Sequence, residues 1–147
     1  MANEKYLILN VMDYSTSPGP RYCNQGDDSG EDFYHSLLNQ RFYETLKEKK
    51  ILKVILDGPD GYASSFLDEA FGNLVYDFGI ETVRKNIEFV SNEEPEWISM
   101  IQEDTYMEWE ERRESSQAPS ITAKHDPWYR LIGTQIEKGE WITYAAN

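Results

Sequence analysis

Two periodicities alternate along this chain, and the switches between them predict its elements. Lys5–Val11 (KYLILNV) is apolar and β-prone, a first strand. Met12 to Asp28 is polar and holds Pro18, Gly19, Pro20 and Gly26, so it predicts a long loop, a kind that is usually functional or disordered. Ser29-Gly30-Glu31-Asp32 reads as a helix start, with Ser29 as cap and Asp32 as its reciprocal partner. The stripe Phe33, Tyr34, Leu37, Leu38, Phe42, Leu46 follows, running toward the lysines at 47, 49 and 50, which suit a helix C-terminus. Asn39-Gln40 is a candidate break between two shorter helices.

The stretch Ile51 to Gly79 is the centre of the pattern. Ile51, Leu52, Val54, Ile55 and Leu56 predict a buried strand, closed by the turn Asp57-Gly58-Pro59-Asp60-Gly61. After Ser64 and Ser65, apolar residues at Phe66, Leu67, Ala70, Phe71, Leu74, Val75 and Phe78 form the two-wide stripe of an amphipathic helix. Ser65 and Asp68 fit a loose capping box, and Gly79 stands where the helix should stop. Asn86–Val90 alternates as a third strand. Trp97, Ile98, Ile101, Tyr106, Met107 and Trp109 then give a looser helical stripe through Arg113. Glu114 to Pro127 reads as a linker. Beyond it, two β-prone runs flank Glu137-Lys138-Gly139-Glu140; the second holds Trp141, Ile142 and Tyr144. Together they predict a hairpin or an added edge strand. Such a tail is marginal alone and must dock on the domain or on a second molecule, a homodimer through the tail being one alternative.

The expected organisation is a domain over 1–113, a linker over 114–127 and an extension over 128–147. Strand-helix alternation predicts an α/β fold with a mixed or partly parallel sheet of about four strands and helices packed on it. Right-handed crossovers put the loop of Arg21 and Gly26 and the loop of Gly61, Ser64 and Ser65 at one sheet edge, where ligands of open α/β sheets bind.

Charge narrows the function. Twenty-seven acids against fourteen Lys and Arg leave −13, which opposes direct binding to nucleic acid and to anionic membranes. It suits a basic partner, high solubility or mimicry of DNA. No apolar run is long enough to span a bilayer, and no basic-then-apolar leader opens the chain, so a cytoplasmic location is expected. A single cysteine, Cys23, excludes an intramolecular disulfide and a cysteine-based zinc site, and His35 reads as a solvated or core-edge histidine; neither metal nor cofactor is expected. Arg21, alone among acids, is a candidate anion contact or a surface ion pair with Asp27 or Asp28. Between Glu88 and Glu114 ten acids face only Arg112 and Arg113, so this helix should present a charged face. Glu103, Tyr106 and Trp109 there, with Trp128 and Trp141 in the tail, are candidate partner-surface residues, because aromatics are enriched at interface hot spots.

The residues also carry a resemblance. Val54-Ile55-Leu56-Asp57, a short loop, and Ser64-Ser65 opening a helix resemble STAS domains, the fold of anti-sigma-factor antagonists. Pro18-Gly-Pro-Arg21, Gly26-Asp-Asp-Ser-Gly30, Leu56-Asp-Gly58 and Glu69-Ala-Phe-Gly72 are similar to a bacterial STAS-like family of unknown function, over roughly residues 5 to 105. The resemblance implies a small STAS-like domain that binds a histidine-kinase-like ATPase or similar regulator, with phosphorylation at the helix start breaking the complex. By position the acceptor is Ser64 or Ser65. Ala63 stands where that motif commonly has an Asp.

Three readings follow. One is a non-enzymatic regulatory module whose binding or phospho-acceptor candidates are Ser64, Ser65, Asp57, Gly61, Arg21, Gly26 and Ser29. Another is an acidic, phage-associated inhibitor or nucleic-acid mimic acting through Glu93–Glu114. The third is phosphate-ester chemistry by Arg21, Asp57, Asp60 and a serine, which lacks a nearby His or Lys base and a GxSxG elbow, so no catalytic residue is assigned.

Overall fold

The structure, a computed structural model, describes residues 5–142. Its strands β1 (Tyr6–Asn10), β2 (Ile51–Ile55) and β3 (Ile87–Val90) form one sheet in that order, with both pairs parallel. Leu9, Leu52, Val54 and Ile87 point to one face and are buried. The alternate residues form the other face, where the Lys53 ammonium lies 4.1 Å from the Tyr6 ring centroid and Ile8 is 47% exposed. Parallel sheets usually have both faces covered; helices cover one face here.

The helical run from 30 to 47 consists of α2 (Gly30–Phe33), a π-helical turn (Tyr34–Leu38) and α3 (Asn39–Lys47), preceded by the single turn α1 (Val11–Tyr14). Ser29 caps it, its hydroxyl accepting the Asp32 amide at 3.0 Å. The break expected at Asn39-Gln40 is absent: both sides keep right-handed helical dihedrals. A wide turn takes its place. The extra residue per turn lets Tyr34, Leu38 and Asn39 all face inward beside Phe33 and Phe42.

α4 (Ser64–Phe78) is the hub. From Phe66 to Phe78 every residue except Asp68 and Tyr76 is buried. Phe71 packs edge-on against Phe89 of β3 at 5.1 Å, and Phe66 lies 5.5 Å from Phe33. Gly79, at φ 85°, turns the chain into α5 (Ile80–Asn86). After β3, α6 (Glu96–Ser99), a second π-helical stretch (Met100–Thr105) and α7 (Tyr106–Glu114) cross back over α4.

The tail forms the antiparallel hairpin β4 (Trp128–Ile132) and β5 (Gln135–Gly139). Its turn is Gly133-Thr134, not the expected Glu137–Glu140. Gly133 takes φ 66°, as the first position of a tight two-residue turn requires, whereas Gly139 pairs with Trp128 and lies against the Trp141 ring. Tyr144, expected in the second strand, is outside the described residues. The hairpin docks on its own domain. Asn39 copies a strand edge for Tyr129, donating to its carbonyl at 2.9 Å and accepting its amide at 2.8 Å. Arg130 Nε donates to the buried Asp77 at 2.7 Å, and Tyr34 Oη donates to the other oxygen. Burial pushes Asp77 up to about 6, against the pull of Arg130 and Tyr34. Residues 117–127 contain no helix or strand, yet they are tied down through Thr122 and His125 to Glu31.

Candidate functional site

The loops that follow the three strands are stapled to one another at the C-terminal edge of the sheet. Asp57 accepts the Asn92 and Glu93 amides at 2.8–2.9 Å, and Glu93 in turn accepts the Gly58 amide at 2.9 Å. Those backbone bonds hold the Asp57 carboxyl, half-buried at the surface, below its ordinary value. Asp60 accepts from the Ser17 hydroxyl and donates its amide to Thr16, joining the first loop. Tyr62 closes its loop with a 2.6 Å bond to the Leu56 carbonyl. Asp57 and Asp60 therefore shape turns, and Gly61 has open space around it.

Ser64 and Ser65 open α4 at this edge. Ser64 is exposed and Ser65 half-buried. The expected capping box is not formed: the cap position is Ala63, no side chain caps the helix, and its first turn has no acid. Asp68 is unavailable for capping because it accepts from Arg21, Thr105 and Trp109. Arg21 pairs with Asp68 at 2.7 Å and with the buried Glu69 at 3.1 Å, rather than with Asp27 or Asp28. Arg21 and Ser64 thus share one end of α4, but two carboxylates already match the guanidinium.

A second cluster lies where the first loop meets the segment before the hairpin. Glu31 is fully buried, and four groups donate to it: the Cys23 amide (3.0 Å), the Thr122 amide (2.9 Å), the Thr122 hydroxyl (2.5 Å) and His125 Nε2 (2.7 Å). Burial pushes its carboxyl up, and these bonds outweigh that, holding it at about 2. The Cys23 sulfur, a Glu31 oxygen and a His125 nitrogen lie within 4.8 Å of one another. His35 stacks on His125 at 4.0 Å, and burial with the neighbouring imidazole drives it down to about 3. Both His35 nitrogens are buried without a hydrogen-bond partner. The Cys23 thiol is pushed up by burial and by Glu31 and Asp32, so it is no activated nucleophile.

Residues 29–97 match the family model described as a STAS-like domain of unknown function. Over this segment, just under half of the chain, the protein is similar to that STAS-like family. No curated protein and no solved structure matches the chain. The STAS-like segment holds β2, β3, α2 to α5, the serine pair and Glu31; β1, the Arg21 loop, α7 and the hairpin flank it in sequence and complete its packing. Among the described residues no helix is long and apolar enough to cross a membrane.

Several expected surface residues lie in the core of this STAS-like fold. Tyr106, Trp109 and Trp128 are buried and cannot meet a partner: α7 is laid on α4, and Trp109 fits over the bare backbone of Gly72. Trp141 is half-buried, its indole donating to the Trp128 carbonyl at 2.9 Å, and only Glu103 is exposed. The acidic helix therefore loses the embedded aromatics that favoured it as an inhibitory face. Ser29 is sealed as a cap, whereas Gly26 is exposed beside Pro20. Sequence reasoning missed the Glu31 cluster. His125 is ninety-four positions from Glu31, and no spacing rule spans that distance. The one local signal was an acid directly after a capping Ser-Gly, which reads as a dipole partner rather than a buried hub.

Proposed function

We propose that the STAS-like domain is a regulatory protein-binding module, that its contact surface is the C-terminal sheet edge around Ser64, and that phosphorylation there ends the complex. The carrying observation is the exposed Ser64 hydroxyl at the first position of a fifteen-residue helix that is otherwise mostly buried. A group placed there is held rigidly and read directly by whatever docks. Met12, 47% exposed, lies against Gly58 at the foot of the same loop and adds apolar contact area. Phosphorylation moves the γ-phosphoryl group of ATP to Ser64 Oγ, releasing ADP and the hydroxyl proton. The Ser64 and Ser65 amides carry no side-chain cap and can donate to the resulting anion, whereas an Asp at position 63 would engage those amides and repel the phosphate. The added charge of about −1.5 to −2 then faces the partner.

The STAS resemblance supports an ATPase of the histidine-kinase type as that partner. Calorimetric titration of the full chain with a purified ATPase of that type tests both parts. Ser64→Ala should bind like the parent, and Ser64→Glu should bind at least about tenfold more weakly, since a charge buried in an interface without a counter-charge costs that much or more. Equal affinity for Ser64→Glu would refute the switch; absence of binding by the parent would refute this partner.

A further inference from the structure

We infer that Cys23, Glu31 and His125 form a binding site for one divalent transition-metal ion of the zinc type. Their donor atoms already lie within 4.8 Å of one another. Tetrahedral zinc, with bonds of about 2.0–2.3 Å, asks for ligand atoms somewhat closer than four ångströms apart, so small side-chain shifts suffice. His125 Nε2 and Glu31 Oε2, now 2.7 Å apart, must open by less than an ångström to admit the ion between them. The donor set selects the metal class. A sulfur, an imidazole and a carboxylate suit zinc or cobalt and disfavour magnesium and calcium, which take oxygen ligands.

Charge agrees. A thiolate and a carboxylate bring two negative charges into a largely buried place, and a divalent cation cancels both. The independent sign of a missing component is His35. Neither of its ring nitrogens has a partner, although both are shielded from solvent and the ring lies flat on His125. A buried imidazole has a donor and an acceptor to satisfy, and leaving both unmet is costly. Three protein ligands leave a fourth position for water, and a metal-bound water on the His35 side would give one of those two nitrogens a partner. The site joins residues on both sides of the STAS-like segment: Glu31 lies inside it, Cys23 before it and His125 after it. A bound ion would therefore tie the first loop and the pre-hairpin segment to α2.

Titration of the full chain with cobalt(II), followed by displacement with zinc, tests this. Cys23 is the sole cysteine, so a near-ultraviolet thiolate-to-cobalt band can come from nothing else in the chain. The expected result is that band at one ion per chain, together with visible bands of a four-coordinate ion and loss of both on adding zinc. Cys23→Ser changes a half-exposed thiol whose side chain accepts only a 3.4 Å bond from Ser29, so it should leave the fold intact by circular dichroism. It should remove the band and weaken cobalt binding by at least roughly a hundredfold, as loss of a direct ligand costs no less than loss of an outer one. His35→Phe, which keeps the stacked ring and removes both nitrogens, should retain the band but shift the visible spectrum. Absence of the band, one ion per two chains, or equal zinc stabilisation of the parent and Cys23→Ser would each overturn the site.

Discussion

Replacing Gly72 by valine should destabilise the protein by at least about 3 kcal/mol, the largest effect expected of any single change in the helical layer. A Cβ at this position would stand 2.1 Å from Trp109 Cε2 and 2.2 Å from its Nε1. Trp109 cannot swing away. It is 1% exposed, its indole donates to Asp68 at 3.2 Å, and the Arg112 guanidinium covers it at 3.9 Å. Relief therefore requires α7 to move off α4. The helix-propensity gain on removing a glycine is at most about 1 kcal/mol and does not offset this. Thermal unfolding should show a fall of roughly 10 °C, at about 3 °C per kcal/mol for a chain of this size. The double variant Gly72→Val with Trp109→Leu should recover part of the loss, because the smaller residue vacates the space the methyls enter. Strict additivity of the two losses would mean the contact is not the cause.

Arg130→Met should cost about 3 kcal/mol at neutral pH, because it leaves Asp77 buried without its cation. The methionine preserves most of the apolar stem, so the loss reports the guanidinium, which also lies 5.2 Å from the Tyr76 ring centroid and 5.3 Å from that of Trp141, rather than the stem's packing. The pH dependence follows from the raised Asp77 value. A carboxyl whose folded value lies above its unfolded one contributes stability at low pH and loses it as pH rises through the folded value. Removing Arg130 raises Asp77 further above its present value of about 6. The deficit of Arg130→Met should accordingly shrink as pH falls from about 7 toward 4, where Asp77 takes up a proton. Denaturant melts of the parent, Arg130→Met, Asp77→Asn and the double variant across that range form the check. A deficit that does not change with pH would refute the account, and Asp77→Asn should make Arg130→Met nearly harmless.

Much of the fold was legible because it rests on residues near one another in sequence. The seven apolar positions read from the α4 periodicity are all buried. Ser29 caps where the Ser-Gly-Glu-Asp pattern placed it, the three strands fall on the β-prone runs, and the first two form the parallel pair that a helix crossover implies. The serine pair was legible as a β-to-α joint for the same reason. Its capping was not, since whether Asp68 turns back to the helix start or outward to Arg21 is decided by residues far along the chain.

Periodicity assigns each helix one buried stripe, and it was silent about a second. Glu69, Asn73 and Asp77 repeat every four positions on the side of α4 that alone would be wet, and all three are buried. They are covered because Arg21 from the first loop and Arg130 from the hairpin reach in and bind the two carboxylates. The two π-helical stretches likewise shift which residues face inward, and the second carries Tyr106 and Trp109 from an acidic run into the core. The sequence by itself determined the three strands of the sheet, the buried stripe of α4 and that helix's exposed start, because hydrophobic spacing acts between neighbours. The tertiary structure alone decided which polar groups are buried and what lies beside Glu31, because those partners are remote in the chain and become neighbours only once the helices have packed.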